Sequence, residues 1–185
     1  MKKGQVDDGE DAPFIEDLEK TKLDQARNGK LIIRFKHAKG LLKTESGGGD
    51  PFVRFHFPNN KTSKTKVMKN TNIPNWNQDL SQDIKLENVK LVNSCKLEIM
   101  DDNFFSDDSI GFCNVDVVPA LNSPNTWAIN TIMKLEGSVK LKKKYNTNDF
   151  GDIYIQGIFV KTGETLTTEV PRDLETYEQV MAKAM

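Results

Sequence analysis

The sequence predicts an all-β fold, an eight-stranded antiparallel Greek-key β-sandwich, and three observations carry that expectation. Apolar and polar residues alternate with a period of two in one segment after another between residues 29 and 161. Clusters of Gly, Asn, Pro and Asp separate those segments at short intervals, as turns between strands require. Helical spacing is confined to the two ends of the chain.

Residues 1–28 read as a polar N-terminal extension. Its first dozen residues are acidic and aperiodic; from Pro13 to Ala26, Phe14, Leu18 and Leu23 predict a weak amphipathic helix that Asn28-Gly29 ends. The sandwich is expected over residues 29–161. Leu31, Ile33 and Phe35 alternate with Ile32, Arg34 and Lys36 in the first strand. Further strands are predicted at Phe52–Phe57, Lys64–Met68, Ser81–Leu86, Cys95–Ile99, Phe112–Val118, Thr131–Leu135 and Ile153–Val160. Residues 162–185 read as a C-terminal extension, with a short helix from Pro171 to Met185 carrying Leu174, Tyr177, Val180 and Met181 on one stripe.

A chain of 185 residues is long enough for one domain with tails. Its 26 basic residues nearly balance 27 acidic ones, which argues against a nucleic-acid binder. Cys95 and Cys113 are too few for a disulfide framework and sit in alternating stretches, so two buried free thiols are expected. No apolar run follows Met1-Lys2-Lys3, and no window reaches the length of a spanning helix. The expectation is a cytoplasmic protein whose membrane contact, if it has one, is peripheral.

Catalysis finds no support. There is no nucleophile elbow, no Walker-type phosphate loop and no Cys/His metal pattern; Gly47-Gly48-Gly49 lacks the Lys-Ser/Thr and helix that a phosphate cradle needs.

Four motifs then resemble one family in the order it uses them. Gly47-Gly48-Gly49-Asp50-Pro51-Phe52-Val53 resembles the loop-then-strand signature of C2 domains, and Asn72-Ile73-Pro74-Asn75-Trp76-Asn77 resembles their Asn-Pro-x-Trp-Asn corner. Residues 99–111, from Ile99 to Gly111, are similar to the acidic third loop, and Gly151-Asp152-Ile153 opens a last strand as many members do. Together these cover about residues 29–161, and the order of strands looks like the type II permutation. The residues agree: proline is tolerated at a strand's first position, and Trp76 reads as a buried anchor whose indole N–H finds an acceptor.

The resemblance implies Ca²⁺ between two loops at one pole. Asp50 matches one ligand of the first loop; the other falls on Glu45 if that loop is one residue short, and on Thr44 if it is not. In the third loop Leu97 and Ile99 face inward, which puts the first ligand at Asp101, the second at Asn103 and the last at Asp108. An ungapped alignment on Gly111 gives Met100 and Asp102 instead. The gapped one is preferred because it keeps the alternation. A metal set of Glu45, Asp50, Asp101, Asn103 and Asp108 has a longer glutamate and a neutral amide in place of aspartates, so its affinity for calcium is expected to be weakened or lost.

Phe104 and Phe105, at the tip of that loop, have no interior to reach and are expected to enter the headgroup region of a membrane, as the resemblance implies. Lys61, Lys64, Lys66 and Lys69 lie where some relatives bind phosphoinositides, and Lys140, Lys142, Lys143 and Lys144 form a second basic cluster. Because Asp101, Asp102, Asp107 and Asp108 surround the tip, docking through it is expected to need a metal. The expectation is therefore a non-catalytic module that docks on anionic phospholipid membrane. The alternative is a structural protein-interaction subunit of a large cytoplasmic or cytoskeletal assembly.

Overall fold

A computed structural model of the chain describes residues 28–44, 48–85 and 94–165; the two predicted terminal helices and Glu45 lie outside those residues. Within them, eight strands form two four-stranded antiparallel sheets, in the order β4-β1-β8-β7 and β3-β2-β5-β6. The strands are β1 (Gly29–Lys39), β2 (Pro51–His56), β3 (Thr62–Lys64), β4 (Asn75–Ile84), β5 (Ser94–Asp101), β6 (Asp108–Asp116), β7 (Ile129–Lys134) and β8 (Asp152–Lys161). The chain changes sheet between β1 and β2, β3 and β4, β4 and β5, and β6 and β7, which is the Greek-key sandwich expected.

The period of two explains the core. Leu31, Ile33 and Phe35 of β1 point between the sheets and are fully buried, as are Val53 and Phe55 of β2, Leu97 and Ile99 of β5, and Ile153, Ile155 and Phe159 of β8. The Phe35 and Phe55 rings meet across the sheets with centroids 5.6 Å apart. Cys95 and Cys113 are buried free thiols, as expected, and burial pushes each up to about 12.

Three strands differ clearly from the expectation. The third ends at Lys64, where Lys64–Met68 was expected. Beyond it the Thr65 hydroxyl accepts from Val53 N–H at 2.9 Å, replacing a carbonyl and breaking the ladder. The fourth starts at Asn75, six residues before the expected Ser81. Its inward face reads Trp76, Gln78, Leu80, Gln82, Ile84, so apolar residues recur every fourth position rather than every second. The two glutamines face the neighbouring edge of the other sheet: Gln78 Oε1 accepts from Lys66 N–H at 2.9 Å, and Gln82 Nε2 donates to Ser63 Oγ at 3.0 Å. Polar residues thus occupy inward positions because β4 is an edge strand lying beside β3.

The sixth strand begins at Asp108, before the expected Phe112, and two short helices were not anticipated: α1 (Val118–Asn122), which takes Val118 from that strand, and α2 (Val139–Tyr145). Ser138 caps α2 by accepting from Leu141 N–H, and Asn146 ends it in the left-handed region.

Register fixes where the loops lie. Gly29 pairs with Lys161 and with Ile84, and Lys39 pairs with Asp152, so the first and last strands run side by side with Gly29 and Lys161 at one pole. At the other pole lie loop 1 (residues 40–50, β1 to β2), loop 2 (residues 65–74, β3 to β4) and loop 3 (residues 102–107, β5 to β6). Trp76 anchors this pole: it is 2% exposed and its indole donates to Pro51 O at 3.4 Å. Trp76→Ala is expected to cost about 3–5 kcal/mol of unfolding free energy in urea denaturation.

Candidate functional site

The loop pole is built around Asp101, the last residue of β5. It is 2% exposed, and both of its oxygens accept hydrogen bonds from loop 1: Oδ1 from Asp50 N–H at 2.6 Å, and Oδ2 from the Thr44 hydroxyl at 2.5 Å. Loop 3 returns the contact, Asp102 N–H donating to Asp50 O at 3.0 Å. The carboxylate lies so close over Gly49 that a Cβ there would sit 2.9 Å from Oδ1, and Gly48 before it holds φ +97°. Loop 1 needs these glycines to bring its backbone against a buried charge.

Asp50 and Lys69 form the outer layer. Asp50 Oδ1 accepts from Asn70 N–H at 2.8 Å, and Oδ2 accepts from Lys69 Nζ at 2.8 Å. The same ammonium reaches Asp102 Oδ2 at 3.2 Å, so one loop-2 lysine bridges loops 1 and 3. The Lys69 hydrogen bond, with help from Asn70 N–H, holds the Asp50 carboxyl below its ordinary range. The hydrogen bonds to Asp50 and then to Asp102 raise Lys69 above the ordinary lysine range.

The other residues singled out in the sequence divide between those near this bridge and those away from it. Asn103 Nδ2 donates to Asp108 Oδ2 at 3.4 Å on the far side of loop 3, and Asp107 pairs with Arg54 at 3.2 Å. Phe104 and Phe105 are 96% and 94% exposed, edge to face with centroids 5.0 Å apart. Lys61, Lys64 and Lys66 do not cluster with Lys69. Lys61 lies in the hairpin at the opposite end of β2, Lys64 beside Arg54 over the Phe52 ring at 5.3 Å, and Lys66 opposite Gln78. Sequence reasoning found Asp50 and Asp101 but not the bridging role of Lys69, which no motif marks.

Among the described residues, which do not include Glu45, this arrangement is held by internal donors and is not open to a calcium ion. Calcium takes six to eight oxygens at 2.3–2.6 Å, several of them carboxylate. Among the described residues no group of three or more His, Cys, Asp or Glu side chains is arranged to hold a metal. Both oxygens of Asp101 and both of Asp50 are committed to N–H and O–H donors, and the cation between the loops is Lys69.

A two-sheet antiparallel sandwich with three loops gathered at one pole defines a class, and comparison of the sequence places the chain in it. The C2 domain model matches residues 29–129, more than half of the chain, and the chain belongs to the C2 domain family. Among its relatives, Synaptotagmin-B of Diplobatis ommata is 36% identical over 88 residues, 45% of this chain and 20% of that protein. Protein C2-DOMAIN ABA-RELATED 10 of Arabidopsis thaliana is 31% identical over 102 residues, 55% of this chain and 54% of that protein. The chain thus spans about half, or less, of the curated relatives it matches. Among solved structures, a C2 domain of plant Extended Synaptotagmin 1 superposes with a TM-score of 0.57 at 17% identity, covering 75% of this chain and 98% of that one. The calcium-bound pair of C2 domains from Extended-Synaptotagmin 2 gives 0.55 at 16%, covering 72% and 46%. These likenesses bear on the fold alone.

The bridge sets a pH window. A depressed Asp50 contributes stability that is fully present above its unfolded value and lost as pH falls through its folded one; a raised Lys69 contributes stability that is lost as pH climbs through its folded value. The bridge is therefore intact at neutrality and released at both extremes. In an NMR titration the Asn70 amide shift is expected to move with a midpoint below the ordinary carboxylate range, and Lys69→Met is expected to raise that midpoint.

Proposed function

We propose that this C2 domain is a non-catalytic docking module for anionic phospholipid membrane, working with calcium dependence weakened or lost. The observation that carries the reading is the pair Phe104–Phe105, almost fully exposed at the tip of a pole where Asp50, Asp102 and Asp107 already pair with cationic side chains. Two adjacent aromatics in water are costly unless they have somewhere to go, and each is worth roughly 1.5–3 kcal/mol once buried. No helix among the described residues is long and apolar enough to cross a membrane. In this reading the contact through the tip is peripheral.

The sequence suggested that the loop-3 acids would be repelled by an anionic leaflet unless a metal neutralised them. The side-chain pairing supports a different balance. Asp101 is buried and fully hydrogen-bonded, Asp50 and Asp102 share the Lys69 ammonium, and Asp107 pairs with Arg54. Two side-chain cations of the domain stand where the metal requirement was expected, which supports docking in chelator as well as in calcium. Lys61, Lys64 and Lys66, spread along the edge of one sheet, add diffuse attraction of about 1 kcal/mol each when near the leaflet, and salt weakens it. Residues 1–28 and 162–185 flank the module as extensions.

In co-sedimentation with phosphatidylserine vesicles, the protein is expected to pellet equally in calcium and in chelator. Exchanging Phe104 and Phe105 for serine should weaken pelleting about tenfold or more. Calorimetry with millimolar calcium is expected to show no binding heat. Absence of pelleting in either condition would reject the membrane reading and leave a protein-assembly role.

A further inference from the structure

Beside the loop pole lies a cleft of about 230 Å³ between loop 1, the start of β6 and helix α2. We propose that it binds a phosphorylated polyol, with Lys140 and Lys144 seating the phosphate. The ligand is either the headgroup of a phosphoinositide or a free inositol phosphate; only the lipid source rests on the membrane reading above.

The helix is where the inference begins. None of the α2 residues is buried, Val139 is 70% exposed, and Leu141 alone packs partly against the core. The helix thus contributes little to the interior. It does present four lysines. Like most described lysines, Lys140, Lys142, Lys143 and Lys144 have no carboxylate within salt-bridge distance, and Lys144 Nζ lies 4.9 Å over the ring of Tyr145, which also lines the cleft. Lys140 and Lys144 are four apart, so they stack on one helical face, and both line the cleft; Lys142 and Lys143 line a separate groove with Asn146 and Asn148. Like charges at that spacing destabilise a short helix, and an anion held between the two ammonium groups would relieve the repulsion.

The rest of the wall says what kind of anion. Asp108 also lines the cleft, and its carboxylate would oppose a bare phosphate. A polyol ring answers this: its hydroxyls donate to Asp108 while its phosphate meets the lysines. The wall hydroxyls divide in the same way. Thr44 spends its proton on Asp101 and so faces the cleft as an acceptor, whereas Ser138 accepts from Leu141 N–H and keeps its proton to donate. Asp108 follows Phe105 by three residues, about 11 Å of chain at most, so a headgroup in the cleft lies near the apolar tip.

The test is calorimetric titration of the full chain with inositol trisphosphate and with inorganic phosphate, paired with vesicle co-sedimentation. Inositol trisphosphate should bind, and bind more tightly than phosphate. Lys140→Gln with Lys144→Gln should weaken it about tenfold or more, while Lys142→Gln with Lys143→Gln, an equal loss of charge on the other face, should leave it within about twofold. Equal weakening by both double variants overturns the proposal in favour of diffuse charge, and so does tighter binding of inorganic phosphate. Phosphatidylcholine vesicles carrying phosphatidylserine or phosphatidylinositol bisphosphate, matched in charge, identify the source. A phosphoinositide preference that disappears in Lys140→Gln/Lys144→Gln supports the lipid headgroup; tight soluble binding without that preference supports the free inositol phosphate. Pelleting with phosphatidylserine but no binding of inositol trisphosphate overturns the cleft and leaves the membrane reading intact. Binding of inositol trisphosphate without pelleting on any vesicle does the reverse.

Discussion

One buried carboxylate organises the functional pole. Asp101 closes β5 with almost no exposure, and its two oxygens take the Asp50 amide and the Thr44 hydroxyl. A charge out of contact with water is costly unless its lone pairs are filled, and here loop 1 fills them. Thr44 and Asp50, on either side of residues 45–47, are thereby both held to the end of β5, Gly49 is required beneath the carboxylate, and the Asp50 side chain meets Lys69 and Asn70. The contact between loops 1 and 3, completed by Asp102 N–H on Asp50 O, is built on that placement.

This order of dependence bears on how a C2 domain manages its acidic loops. Carboxylates from two loops must be brought together at one pole, and some cation must make that tolerable. In this chain Lys69 reaches in from loop 2 and touches Asp50 and Asp102 at once. An ammonium on a flexible stem offers three donors and one charge, less than a divalent ion, and it suits a pole with fewer well-placed carboxylates to satisfy. Asn103, an amide beside Asp108, adds no charge of its own to that pole.

Much of the fold was legible because central strands repeat with a strict period. β1, β5 and β8 are flanked on both sides in their sheets, and their inward apolar residues recur at every second position, as Leu31, Ile33 and Phe35 or Cys95, Leu97 and Ile99 do. The edges were harder. Gln78 and Gln82 interrupt the inward face of β4 because they hydrogen-bond across to β3 and the segment after it, a reason that exists only once the sheets face one another. Helix α2 escaped notice because Lys-Leu-Lys-Lys-Lys carries no apolar stripe; its start is set by a Ser138 cap and its end by Asn146 at φ 47°. At the pole, Asp50 and Asp101 could be found from motif and alternation. Lys69 could not, since its reach depends on where loop 2 lands, and that is decided by hydrogen bonds such as Thr71 N–H to Gly49 O rather than by any local pattern.

The pairing of Gly29 with Lys161 has a mechanical corollary. The chain enters and leaves the sandwich side by side at the pole farthest from Phe104 and Phe105. Tension between an embedded tip and whatever is joined at the other end would run along the strands. It would load the β1–β8 and β5–β6 ladders in shear, many hydrogen bonds sharing the strain instead of parting one after another. Under the membrane reading proposed above, the domain would act as a tether, with the tip at one end and the chain ends of the sandwich at the other.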